Sequence, residues 1–111
     1  MPFAKFVTID VGSVASGATT EKSWEVDGDF TIRRVHIIEK GAASTRAVEV
    51  TFRVDQTGYT EDYVPAIILD ILTDHNPELS IKITKGQKVV FGIKNNEAAA
   101  RDLYAVLELW T

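Results

Sequence analysis

Between Ala47 and Asp55 apolar and polar side chains alternate without a break. Val48, Val50, Phe52 and Val54 take one parity, and Glu49, Thr51, Arg53 and Asp55 the other. Successive side chains of an extended chain point to opposite sides, so this period of two specifies a strand with one buried and one wet face. Shorter versions of the same signature return along the chain at intervals of roughly 10–15 residues, separated by turn chemistry, which is the rhythm of an antiparallel sandwich or barrel.

Near the start, Val7, Ile9 and Val11 share a face, and the small residues of 11–20 look like a flexible connection. Trp24 and Val26 follow, then Asp27-Gly28-Asp29, a tight-turn signal. In the segment from Phe30 to Lys40 the parity changes: Phe30 and Ile32 agree with each other, and Val35 and Ile37 fall on the opposite count. A β-bulge near Arg33–Arg34 restores a single apolar face. Residues 56–63 form a loop carrying Tyr59 and Tyr63. The segment 64–72 is ambiguous, because Ile67, Ile68, Ile71 and Leu72 also fit one helical face. Pro65 and the short length favour an extended chain. A loop holding His75 precedes the next strands, and residues 101–110 close the pattern.

Leu79, Ile81 and Ile83 share one face, as do Val89, Phe91 and Ile93 beyond Lys85-Gly86-Gln87. A three-residue hairpin loop would pair Ile83 with Val89 and Ile81 with Phe91, keeping both triplets on one side. The alternative is an arch that carries the chain from one sheet to the other. Either way the stretch is a wall of the core. About eight short strands in one domain, residues 1–111, predict an all-β, two-sheet antiparallel β-sandwich of jelly-roll-like form.

There is no cysteine, so disulfides, thiolate nucleophiles and Cys-based metal sites are excluded, and packing alone must hold the domain. A net charge of −4 argues against a nucleic-acid partner, which calls for a basic face. No apolar run approaches the roughly 20 residues of a membrane span. The first residues lack the apolar stretch of a signal peptide, so the cytoplasm, or a particle assembled there, is the expected location.

Residues 81–96, IKITKGQKVVFGIKNN, resemble the I-x-V-x-x-G-x-x-V-x-F-x-V-x-N ladder of cupredoxins. That resemblance would imply copper held by a Cys and two His. With no Cys, Met1 as the one methionine, and His36 and His75 as the two histidines, the ligand set is missing. No Gly-x-Ser-x-Gly elbow surrounds any serine, and no phosphate-cradling glycine loop occurs. Asp27, Asp29, Glu61 and Asp62 are better explained as turn and surface groups than as calcium ligands. No catalytic residue, metal or cofactor is expected.

The telling feature is surplus apolar surface. On the last strand Leu103, Ala105, Leu107 and Leu109 take one parity, while Tyr104, Val106 and Trp110 take the other. Phe6 and Val90 also sit opposite their strands' main apolar set. A second apolar face asks for cover, either from this chain, with residues 64–69 as one choice, or from another subunit.

The small-residue lead-in VGSVASGATTEKSWEV, the early F-T-I-x-x-V strand, the mid-chain Val64-Pro65-Ala66 and the aromatic closing strand resemble small all-β structural proteins of tailed phages and other icosahedral viruses. That resemblance implies a non-enzymatic capsid decoration or minor virion protein. It would act as a trimer or other cyclic homo-oligomer docked on a shell, through Phe6, Val90, Tyr104, Val106 and Trp110. The alternative is a carbohydrate-binding module in which Trp24, Tyr59 and Tyr63 stack on sugar rings. A cupin-type enzyme would need a His-rich barrel interior, which two histidines do not supply.

Overall fold

The computed structural model describes residues 2–69 and 76–111. Its strands are β1 (Phe3–Val14), β2 (Thr19–Glu25), β3 (Phe30–Glu39), β4 (Val48–Val54), β5 (Thr57–Gly58), β6 (Val64–Pro65), β7 (Ile81–Ile83), β8 (Lys88–Asn95) and β9 (Arg101–Trp110). One sheet has the order β1-β9-β3-β7 and the other β2-β8-β4-β5, with β6 also paired to β4. The pairs are nested and antiparallel: β1 with β9, β2 with β8, β3 with β7, β4 with β5 and β6. A chain doubled back on itself and wound into two sheets is a jelly roll, as the strand rhythm predicts. The two-residue β5 and β6 together fill one of its eight strand positions.

The core lies between the sheets. Leu103, Ala105, Leu107 and Leu109 of β9 are fully buried, with Ile32, Val35 and Ile37 of β3 beside them. Opposite are Val48, Val50, Phe52 and Val54 of β4 and Val89, Phe91 and Ile93 of β8. Phe52 and Phe91 are register partners whose rings stack at 5.1 Å. Each such side chain withdrawn from water stabilises the fold by about 1.5–3 kcal/mol, which is how a chain without staples holds together.

Two bulges set which faces point inward. The β3–β9 register shifts between Ile32 and Arg34, so Ile32 and Val35 both face the core. The β1–β9 register shifts between Asp10 and Gly12, and Val11 and Val14 are both buried. Gly12 takes a φ of +78°, and its amide donates to the Asp10 carboxylate at 2.9 Å. The expected flexible connection over 11–20 is thereby corrected: β1 runs on to Val14, and only Ala15–Ala18 link it to β2.

The Lys85-Gly86-Gln87 turn is an arch rather than a hairpin loop. Ile81–Ile83 pair with β3 in one sheet, whereas β8 pairs with β2 and β4 in the other. Gly86, at φ +94°, donates its amide to the Val26 carbonyl at 2.9 Å, and Val26 returns a bond to Gln87 at 2.8 Å. The arch is thus tied to Val26, the residue that follows β2. Residues 64–69 also differ from the extended expectation. Val64–Pro65 pair with β4, but Ala66–Leu69 form a single 3-10 turn with Ala66 and Leu69 buried and Ile67 and Ile68 exposed. Ile71, Leu72 and His75 lie outside the described residues.

Candidate functional site

The alternation that buries the leucines of β9 necessarily turns Tyr104, Val106, Glu108 and Trp110 outward. Because β9 is the centre of a three-strand block, these residues are flanked on both sides. Phe6, Glu108 and Arg34 form one cross-strand row; Thr8, Val106 and His36 the next; Asp10, Tyr104 and Ile38 the third. Phe3 stands opposite Trp110. Its ring meets Trp110 edge-on at 5.8 Å and Phe6 at 5.0 Å. Phe6 is 59% exposed and Phe3 45% exposed. A shallow hollow of about 430 Å³ lies across the middle rows, between Phe6, Thr8, His36, Ile38, Val106 and Glu108.

Charges at both ends of this apolar strip are neutralised locally. At one end Glu108 accepts from Trp110 Nε1 at 3.0 Å and pairs with Arg34 at 3.5 Å, while the Arg33 guanidinium lies 5.1 Å from the Trp110 ring and bonds Glu78. At the other, Lys40 bonds Asp10 at 2.8 Å and Asp102 at 3.0 Å, with its ammonium 4.4 Å from the Tyr104 ring. Those two carboxylates hold the Lys40 ammonium far above its usual range, and Lys40 in turn lowers Asp10. The apolar side chains of this face suit contact with another apolar surface, at the cost of drying the paired charges among and beside them.

His36 is 7% exposed at the centre of the face. Burial pushes its pKa down, against an opposing pull from Glu108 and with some help from Arg34. It is therefore held neutral, and its Nδ1 lies 3.1 Å from the Asn76 side-chain nitrogen. Among the described residues no group of three His, Asp or Glu side chains is placed to hold a metal ion. No helix among them is long and apolar enough to cross a membrane.

Of the residues expected at an interface, Phe6, Tyr104, Val106 and Trp110 share this one face. Val90 does not. It lies on the other sheet and is only 6% exposed, with Ser23 and Arg53 as its register partners. The Arg53–Glu21 ion pair, at 3.3 Å, joins β4 to β2 across β8 on the same sheet. Phe3 and Ile38 belong to the face but escape the parity argument. The β1–β9 register slips between Phe3 and Lys5, which puts Phe3 and Phe6 on one side despite their opposite counts, and Ile38 is masked by the inward Ile37 beside it.

Trp24, Tyr59 and Tyr63 are not brought together. Trp24 packs against the core edge under the Lys5 ammonium, 5.8 Å away. Tyr59 leans on Phe52 at 5.5 Å, at the opening between the sheets. Tyr63 lies on the outer face of the second sheet, its hydroxyl near Gly92 and its ring 5.9 Å from Lys94. No protein-family model matches the chain, and no curated protein matches it either.

Proposed function

We propose that this chain is a non-enzymatic virion structural protein, a capsid decoration or cement component that associates with sister copies and docks on a shell. The observation that carries this is the outer face of β1, β9 and β3, where Phe6 stands 59% exposed in a continuous strip with Phe3, Trp110, Val106, Ile38 and Tyr104. A monomer gains little from ordering four aromatic rings on a wet sheet surface, whereas an interface gains much more. Each 100 Å² of apolar surface covered contributes about 2.5 kcal/mol before association costs. Symmetric repetition around a shell would multiply that small increment into reinforcement. The jelly-roll winding supports the virion assignment only as a scaffold, because folds of this kind host many functions.

Sedimentation of the native protein beside Phe6→Glu and Trp110→Glu tests the docking face. The native chain is expected as a closed oligomer and both variants as monomers with unchanged circular dichroism. A native chain that stays monomeric at high concentration would sink the self-association. A coding region lying away from head-morphogenesis genes would overturn the virion assignment while leaving the docking face intact.

A further inference from the structure

A second feature, independent of the docking face, lies where the sandwich is least completely closed. β7 pairs with only Phe30, Thr31 and Ile32 of β3, and β5 and β6 each pair with only two residues of β4. Beyond these short strands the space between the sheets continues into a cavity of about 240 Å³. Val35, Phe52, Leu69 and Ile81 form its floor, all nearly buried. Tyr59 and Ile68 stand at the mouth, 46% and 44% exposed. The Phe52 and Tyr59 rings, inclined by 33°, make one aromatic wall.

Its lining specifies what could enter. Among the described residues no charged side chain faces the cavity, and the side-chain polar atoms on it are the hydroxyls of Tyr59, Thr60 and Ser80. The Thr60 hydroxyl already accepts from the Phe52 amide at 3.4 Å. An anion or cation would lose its hydration with nothing to replace it. An apolar cavity of ~150 Å³ is enough for benzene. We propose that this cavity is a binding site for a neutral, ring-bearing apolar small molecule of about ten non-hydrogen atoms, seated on Phe52 and gripped at the mouth by Tyr59 and Ile68.

The test is a fluorescence titration of the full chain with neutral 1-naphthol, which matches the cavity in size, repeated with the anionic naphthalene-1-sulfonate. The neutral probe is expected to bind with a blue shift and the sulfonate at least tenfold more weakly. Ser80→Phe, at the exposed rim, should cut the neutral probe's affinity at least tenfold without moving the unfolding midpoint. Thr60→Phe should cut it as well, with some loss of stability from the missing bond to the Phe52 amide, and serves where Ser80→Phe fails to fold. Phe6→Glu, on the docking face, should leave the titration unchanged. Absence of binding by the neutral probe would overturn the proposal. So would equal binding of the sulfonate, or binding abolished by Phe6→Glu and untouched by both rim variants.

Discussion

The side-chain nitrogen of Asn76 lies 3.1 Å from Nδ1 of His36. The same nitrogen donates to the carbonyls of Val35 at 3.0 Å and Leu69 at 3.1 Å, which only the amino end of an amide can do. Both amide hydrogens are thereby committed, and Nδ1 of His36 faces a donor group, an arrangement that suits a neutral ring with its proton on Nε2. Protonating Nδ1 would set two donors against each other in a buried position.

The pH dependence follows in sign from that geometry. Burial lowers the folded-state pKa of His36 below its ordinary 6.5, so the unfolded chain binds the proton more readily. Stability is then complete above the unfolded pKa and is lost as pH falls from about 6.5 toward the lower folded value. The lowered carboxyls of Asp10 and Glu39 act in the same direction but at more acidic pH, below their usual values near 4. Urea midpoints of the native protein should decline between pH 7 and pH 5, and His36→Gln should flatten that slope. A slope unchanged by the substitution would place the titration elsewhere.

Asn95 is fully buried and makes three bonds to backbone. Its amide nitrogen donates to Val14 at 2.9 Å and Ala99 at 3.0 Å, and its oxygen accepts from the Glu97 amide at 2.9 Å. It ties the end of β1 to the β8–β9 turn. Asn95→Ala is expected to cost about 2–4 kcal/mol in chemical denaturation, because buried backbone groups lose their partners. Asn95→Asp should cost more, since a carboxylate would face two carbonyls, and a milder effect than alanine would contradict this bonding scheme.

Much of the fold was legible from local pattern, and the failures have one cause. The Arg33–Arg34 bulge is visible because apolar parity changes between Ile32 and Val35, and β9 declares its buried face through four leucine and alanine positions. The bulge at Val11 has the same parity change, from Val11 to Val14, but small residues around Gly12 disguise strand as linker. The 84–87 arch could not be separated from a hairpin by pattern alone, because both leave Ile81, Ile83, Val89 and Phe91 facing one core. What decides is which strand edges are open elsewhere, a property of the whole chain.

The candidate face was legible in the same measure. Tyr104, Val106 and Trp110 were found because they oppose a buried parity on one strand. Phe3 and Ile38 needed cross-strand register to be placed, and the burial of Val90 depends on the strands that flank it on both sides.

Gly92 allows that second sheet its close outer packing. A Cβ added there would press on Thr51 Oγ1, with the Tyr63 hydroxyl 3.8 Å away. Gly92→Ala is therefore expected to destabilise by about 1–3 kcal/mol through overpacking. Gly92→Ala combined with Thr51→Ala should recover most of that loss, which a double-mutant cycle measures directly. Additive losses would mean that the glycine serves some other strain.

Val90 and Phe6 offer the sharpest contrast between packing and docking. Both were legible as apolar residues on outward parities, yet Val90 is buried between Arg53 of β4 and Ser23 of β2, its register partners, whereas Phe6 is open to solvent. Val90→Ala should lower the unfolding free energy by about 1–2 kcal/mol through a buried void. It should leave the sedimentation coefficient where it was. Phe6→Ser should do the reverse, shifting monomer stability by no more than about 0.5 kcal/mol while weakening association. The two variants, measured side by side, separate what holds the sandwich together from what it offers to a neighbour. If Val90→Ala dissociates the protein and Phe6→Ser leaves it assembled, the contact surface lies on the second sheet, and the β1-β9-β3 face is only its exposed back.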